Sequence, residues 1–153
     1  MVNSAKKIKA VIIPSTASLI EMKMGIKKMK KTDLCSVMYK IGESAGNDFF
    51  EYFIKNVKGR KNKVKKIFEI LNLTDYGKYE FRMSKNFIVI KLTQSPLLKL
   101  CSTNKEASYH WVCHWMSGLL SGLFKNLNRK WIFEIIKCKN LGYSHCEFKG
   151  VIK

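Results

Sequence analysis

Residues 79–92, YEFRMSKNFIVIKL, decide the fold, because two apolar stretches flank a short polar turn. Residues 79–83 alternate apolar and polar side chains, residues 84–86 (SKN) supply the turn, and residues 87–92 are mainly apolar. A period of two on either side of a polar turn is typical of a β-hairpin. The sequence therefore predicts an antiparallel pair of strands in the middle of the chain.

A second pair of strands is predicted near the last residues of the sequence. Residues 131–138 (WIFEIIKC) and residues 145–152 (HCEFKGVI) are short stretches rich in β-branched and aromatic side chains. The segment Asn140-Leu141-Gly142 between them has the composition of a turn. A further strand is predicted at residues 8–13, where IKAVII ends at Pro14.

Helical periodicity separates these strands. Thr32-Asp33 is a helix-start signal, and apolar residues then recur at helical spacing from Leu34 to about residue 55. Residues 108–125 form an almost uncharged helix with small residues in its second half, which must be buried on most sides. The remaining helical stretches are one from Ser15 or Thr16 to about residue 31 and one that holds Val64, Ile67, Phe68 and Leu71, while residues 96–106 are a connector.

The order of these elements predicts the fold class. Strands come in antiparallel pairs and helices come in blocks, which is the α+β arrangement and not the alternating α/β arrangement. With 153 residues the chain has the length of one domain. We therefore expect residues 1–153 to form a single domain in which an antiparallel β-sheet packs against helices.

Two glycines interrupt the helix that starts near residue 33. Gly42 and Gly46 are four residues apart and so lie on the same side of the helix. One interpretation is close packing against another element, and the other is a ligand or partner backbone lying along a smooth strip. Each glycine weakens a helix by about 0.5–1 kcal/mol relative to alanine, so either explanation must compensate for this loss.

The charge of the chain is unusually positive. Lysine and arginine number 29 against 11 acidic residues, a net charge of +18. This charge permits a nucleic-acid partner, but only three of the basic residues are arginine, the residue that reads bases and phosphates in pairs of hydrogen bonds. Nucleic-acid binding is therefore an alternative that the composition does not favour, and its candidate residues are Lys55, Lys58, Arg60, Lys61, Lys63, Lys65 and Lys66.

The cysteine count and the apolar runs bear on localisation. No apolar run reaches the roughly 18–20 residues that a membrane span needs. The apolar stretch near the N-terminus is too short for the core of a signal peptide. Five cysteines, an odd number, are typical of a reducing compartment, so we expect a cytoplasmic protein.

Cys113, His114, Cys138 and Cys146 are the residues with a chemical signature. The two later cysteines flank the predicted turn, so a hairpin brings them together, and a helix packed on the hairpin can add a third ligand. Thiolates and imidazoles are the donors that zinc prefers. The alternative is that these cysteines are buried thiols that only fill space, since cysteine is among the most buried residue types. Neighbours on a helix point about 100° apart, so Cys113 and His114 face one site only if the helix is distorted.

Enzyme signatures are missing from the sequence. There is no glycine-rich phosphate loop, no Gly-x-Ser-x-Gly elbow and no His-Glu-x-x-His motif. No pair of acidic residues sits in an apolar setting that suggests acid–base catalysis. No catalytic residue is therefore predicted.

Residues 112–124 (VCHWMSGLLSGLF) and 138–148 (CKNLGYSHCEF) resemble the 4-vinyl reductase domain family, which includes the sensory domains of phenol-responsive transcription activators. The segment YKIGESAG at residues 39–46 is similar to the Gly-x-x-x-Gly helix of that family, and QSPL after the central hairpin is similar to its middle segment. The resemblance covers about residues 34–150 and is strongest over residues 108–150. It implies a small α+β domain that binds small, mostly apolar molecules between sheet and helices.

The resemblance also implies a structural zinc site. In the phenol sensors three cysteines and a glutamate hold zinc, and those cysteines match Cys113, Cys138 and Cys146. The glutamate does not carry over, because Ile135 stands at its position. We therefore expect His114 as the fourth ligand, with Glu134 and His145 as alternatives.

What the resemblance implies about function is a stand-alone ligand-binding module, a sensor or regulatory subunit that forms a homodimer. A reductase of tetrapyrrole vinyl groups, or its accessory, is an alternative suggested only by the name of the family. The residues expected to line the ligand pocket are Met38, Phe49, Phe53, Phe81, Ile88, Ile90, Trp111, Trp115 and Phe124.

Overall fold

The computed structural model of the protein describes residues 31–74, 76–95, 111–127 and 131–152. The predicted strand at 8–13, the first predicted helix up to residue 30 and the connector at 96–106 lie outside these ranges. The elements are α1 (Lys31–Phe53), α2 (Arg60–Leu73), β1 (Lys78–Met83), β2 (Phe87–Thr93), α3 (Trp111–Lys125), β3 (Trp131–Lys137), a 3-10 turn (Lys139–Leu141) and β4 (Cys146–Ile152).

Four strands form one antiparallel sheet in the order β1-β2-β4-β3. Each predicted hairpin is present, with Phe81 opposite Ile90 in the first and Phe133 opposite Gly150 in the second. The two hairpins join through β2 and β4, where Leu92 is opposite Cys146. The α+β class and the antiparallel sheet are therefore confirmed.

The helices cover one face of the sheet. Ile88, Ile90 and Leu92 of β2 alternate with more exposed neighbours and are buried in the core, as is Phe148 of β4. The opposite face carries cross-strand charges, among them the pair Lys91–Glu80 at 3.6 Å. One apolar core thus forms between the covered face and the helices.

Helices α1 and α3 are in direct backbone contact through glycines. A Cβ atom added to Gly42 would overlap the carbonyl oxygen of Trp115, and one added to Gly118 would overlap the carbonyl oxygen of Tyr39. Gly46 and Gly122 meet the facing backbone in the same way. Both helices therefore carry a Gly-x-x-x-Gly strip, and the strips interlock, which favours packing over a ligand as the explanation for the glycines of α1.

Two serines fix α3 to its neighbours. Ser121 Oγ accepts hydrogen bonds from the Tyr39 hydroxyl of α1, at 2.8 Å, and from the Phe133 backbone N–H of β3, at 3.0 Å. Ser117 donates a hydrogen bond to the Phe133 carbonyl oxygen. The small polar residues of the buried helix thus connect α1, α3 and the sheet, because buried polar groups need partners within the protein.

Strand β1 is at the edge of the sheet among the described strands. The side chain of Asn72, in the last turn of α2, accepts a hydrogen bond from the Tyr79 N–H at 2.9 Å and donates one to the Tyr79 carbonyl at 3.4 Å. The amide therefore satisfies backbone groups that would otherwise offer a pairing site to another strand. Within the described residues, no helix is long and apolar enough to cross a bilayer.

Candidate metal centre and apolar core

Three buried cysteines form a sulfur cluster between α3 and the β3–β4 hairpin. The sulfur of Cys113 is 3.2 Å from that of Cys138 and 3.6 Å from that of Cys146, and the last two are 3.8 Å apart. All three side chains are fully buried. Within the described residues, this is the only group of three or more histidine, cysteine or acidic side chains with ligand atoms close enough for one ion.

The surrounding elements place each sulfur. Cys113 lies in the first turn of α3, Cys138 follows β3, and Cys146 begins β4. The 3-10 turn reverses the chain between the last two cysteines and ends at Gly142, whose φ of 90° is a left-handed conformation that glycine adopts without strain. The backbone N–H of Lys139 in this turn donates a hydrogen bond to the sulfur of Cys146 at 3.3 Å.

The environment keeps the thiols protonated when no ion is present. Hydrogen bonds with Cys138 and Cys146, together with burial, raise the pKa of Cys113 well above its ordinary value. For Cys146 the hydrogen bond with Cys113 lowers the pKa, but the hydrogen bond with Cys138 and burial outweigh it, and the pKa rises to about 11. A bound cation reverses this balance, because it favours the thiolate form.

The donor set fits a zinc ion. Zinc–sulfur bonds of about 2.3 Å in a tetrahedron place two sulfurs about 3.8 Å apart, near the separations of 3.2–3.8 Å found here. A disulfide needs about 2.05 Å, so no disulfide joins these residues. Three thiolates are soft ligands that select zinc and related ions over calcium or magnesium.

The three residues expected to supply a fourth ligand lie elsewhere. His114 lines a surface cleft of about 360 Å³ beside α1, with Cys35, Tyr39 and Glu43 among its neighbours. Glu134 is exposed on β3 opposite Lys149. No histidine nitrogen or carboxylate oxygen of the described residues comes within 4.8 Å of all three sulfurs, so the expected fourth ligand His114 is corrected.

His145 belongs to a separate polar cluster on the open face of the sheet. Its Nε2 atom is 3.2 Å from Glu147 Oε2, and its Nδ1 atom is 3.0 Å from Ser144 Oγ. Lys137 Nζ also contacts Glu147 Oε2, at 3.0 Å, and this contact, with the weaker effect of His145, lowers the pKa of Glu147. Alternation along β4 explains the separation, because Cys146 points into the core and its two neighbours point out.

The residues expected to line a ligand pocket lie mostly between the sheet and the helices. Phe53 is only half-buried and packs on Phe49, with ring centroids 5.2 Å apart. Phe81 is 42% exposed and stacks on Phe68 of α2, with centroids 3.8 Å apart, so its interior position is corrected. The others are buried in one apolar core: Met38, Phe49, Ile88, Ile90, Trp111, Trp115 and Phe124.

Two parts of the site had no sequence signal that we used. The Lys139 N–H acts through the backbone, and its partner is set by the turn and not by a side chain. Ser121 is one of the small residues of α3, and the alternation of serine and glycine there could have indicated that one side of the helix bonds and the other packs.

Comparison with known protein families gives one match in the second half of the chain. The model of the 4-vinyl reductase domain matches residues 89–152. No curated protein sequence matches the chain significantly.

Solved structures share the fold over most of the chain. A trafficking protein particle complex subunit 3 from Naegleria fowleri, covalently bound to palmitic acid, has a TM-score of 0.69 and 16% identity over 96% of both chains. A vinyl-4-reductase family protein from Methanocaldococcus jannaschii has a TM-score of 0.59 and 16% identity over 99% of this chain and 90% of that one. The phenol-responsive sensory domain of the transcription activator PoxR, with phenol, has a TM-score of 0.64 and 10% identity over 90% of this chain and 73% of that one.

The family match includes most of β2, all of α3 and the β3–β4 hairpin, and so contains all three cysteines of the sulfur cluster. The resemblance stated from the sequence is confirmed, and residues 89–152 of this chain belong to the 4-vinyl reductase domain family.

Proposed function

We propose that the protein is a binding module for a small apolar molecule, with a zinc ion that fastens one wall of the binding region. The observation that carries this proposal is the sulfur cluster, which connects α3 to the β3–β4 hairpin through three side chains. The ion would be held by Cys113, Cys138 and Cys146 and would act structurally. The reducing environment that keeps such thiols available supports the expected cytoplasmic location.

The ligand would enter the core between the covered face of the sheet and the helices. Ile88 and Ile90 would form its floor, and Trp111 and Trp115 of α3 would form its cover. The family match and the likeness to a sensory domain with bound phenol support an apolar ligand of small size. Burial of such a ligand contributes about 25 cal/mol for each Å² of apolar surface before the costs of association.

Metal analysis of the reduced protein tests the zinc ion. We expect one zinc per chain, and loss of this zinc in Cys138→Ser. Cys35→Ser is the matched control, because Cys35 lies on α1 outside the cluster. Equal zinc content in all three proteins, or none in the wild type after zinc is supplied, contradicts the proposal.

A titration with phenol, followed by NMR of isoleucine methyl groups, tests the ligand. We expect the methyl signals of Ile88 and Ile90 to shift and saturate. The methyl signal of Ile132 is the control, because Ile132 lies on the other face of the sheet. Shifts of all three signals together, or of none, contradict a pocket at this position.

The oligomeric state expected from the resemblance is a homodimer, and native mass spectrometry of the isolated protein tests it together with any retained ligand. A nucleic-acid partner has weaker support, since Lys55, Lys65 and Lys66 each contact a glutamate of their own helical region. Within the described residues these contacts divide the basic segment. They leave the other cations of this segment gathered near the start of α2.

A further inference from the structure

A cleft of about 170 Å³ lies between the start of α2 and the residues that follow α3. Gly59, Arg60 and Lys63 line one side, and Asn126 and Leu127 line the other. The lining contains two cations and a side-chain amide but no carboxylate. These are groups that bind anions.

The charge at this end of α2 is unbalanced. Gly59 precedes the helix and no side chain caps it, and the first turn holds no acidic residue. Aligned peptide dipoles add positive charge at the start of a helix, so cations here repel it. Lys58, Arg60, Lys61 and Lys63 nevertheless cluster at this place, and within the described residues none of them contacts a carboxylate.

Aromatic rings hold the two cations of the cleft in place. The Arg60 guanidinium carbon is 5.9 Å from the ring centroid of Trp131, and Lys63 Nζ is 5.2 Å from that of Phe50. Cation–π contacts reduce the freedom of both side chains, so less entropy is lost when they bind a ligand.

Trp131 supplies an independent observation. Its side chain is 1% exposed, and its indole N–H has no hydrogen-bond acceptor. Buried donors are nearly always paired, and an exception indicates an acceptor that the polypeptide does not provide. Because the Trp131 ring lies beside Arg60, an oxygen atom that enters the cleft is the nearest candidate for this acceptor.

We propose that this cleft binds one phosphate group, either free or borne by a small molecule. Arg60 and Lys63 would balance its charge, the first turn of α2 would supply backbone N–H groups, and Trp131 would supply its N–H. The volume equals that of about six water molecules, which admits a tetrahedral group but not a nucleoside. The cations also surround one cleft and do not follow a row, as they would for a nucleic-acid backbone.

The test is NMR of the ¹⁵N-labelled full chain, with the indole N–H signal of Trp131 assigned through Trp131→Phe. Sodium phosphate is added at constant ionic strength against sodium chloride, and sodium acetate is added in a parallel series. We expect the Trp131 signal to move and saturate with phosphate only. Arg60→Gln should weaken the apparent affinity about ten-fold or more, as expected for loss of a charged hydrogen bond.

Lys65→Gln is the matched control, because Lys65 lies on the same helix but does not line the cleft and pairs with Glu69. It should leave the affinity within about two-fold, since an exposed pair contributes little. Equal losses in Arg60→Gln and Lys65→Gln, an equal response to chloride or acetate, or no movement of the Trp131 signal overturns the proposal. Vesicles that contain phosphatidic acid distinguish a lipid headgroup from free phosphate, since tighter binding to them that still requires Arg60 assigns the phosphate to a lipid.

Discussion

Gly42 of α1 lies against the Trp115 backbone of α3 so closely that no side chain fits between them. A Cβ atom at this position would also be 2.9 Å from the Leu119 nitrogen, and backbone atoms cannot turn aside as a flexible side chain can. The two helices therefore depend on glycine for their distance as well as their angle.

We expect Gly42→Ala to destabilise the protein by about 1–3 kcal/mol or more, because overpacking forces the two helices apart. The free energy of unfolding in urea measures the loss. Ser44→Ala is the matched control at a position of the same helix that does not face the core, and it should change stability by less than about 0.5 kcal/mol. Similar values for both variants would show that α1 and α3 can separate without cost.

Ser121→Ala should be more damaging than Tyr39→Phe. The first variant leaves the buried Phe133 N–H without an acceptor, which costs about 1–3 kcal/mol, and also removes the partner of Tyr39. Tyr39→Phe removes one hydroxyl and its hydrogen bond, for about 0.5–1.5 kcal/mol. Urea unfolding of both variants ranks them, and the reverse order would contradict the role of Ser121 as the connection between α1 and β3.

The metal-free protein should lose stability as pH rises from about 9 to about 11. Folding raises the pKa of Cys146 from 9.0 to about 11, so the folded state binds more protons than the unfolded state in this range. Stability is therefore fully present below about pH 9 and decreases as the pH approaches about 11. Urea unfolding at several pH values measures the slope.

Cys146→Ser is the comparison for this pH series, because a serine hydroxyl does not titrate there. Tyr79, whose buried hydroxyl also has a raised pKa, is present in both proteins and cancels in the difference. A slope that is the same with and without the Cys146 thiol would exclude this thiol as its source.

Asn72→Ala should increase self-association. The change exposes the N–H and carbonyl groups of Tyr79 on β1, and an edge strand with open backbone groups is a template for another strand. Sedimentation velocity at several protein concentrations measures the effect. Asn62→Ala is the control, since its amide bonds to the Lys58 carbonyl away from the sheet, and self-association of both variants alike would remove the special role of Asn72.

Local periodicity predicted most elements of the fold. The hairpin expected at 79–92 forms from β1 (Lys78–Met83) and β2 (Phe87–Thr93), because alternation and a polar turn act between near neighbours. The helix expected from Thr32-Asp33 is α1. The position of β4 between β2 and β3 had no such signal, because pairing between Leu92 and Cys146 depends on residues far apart in the chain.

The candidate site was predictable in its thiols and not in its remaining parts. A hairpin brings Cys138 and Cys146 together by its own geometry, and α3 adds Cys113. The step of about 100° between neighbours on a helix turns His114 away from Cys113 and toward α1, as expected for an undistorted helix. Phe81 follows the alternation of β1, but its place on an edge strand leaves it exposed, and edge position is a property of the whole sheet.

The strand order has a consequence for how the protein is made. The two hairpins meet only through β2 and β4, and β4 is the last of the four strands to leave the ribosome. The first hairpin must therefore wait, with the apolar side of β2 uncovered, until α3, β3 and β4 have been translated. Nascent chains of this protein are thus exposed to misassembly during this interval, and they become safe only when the final strand emerges.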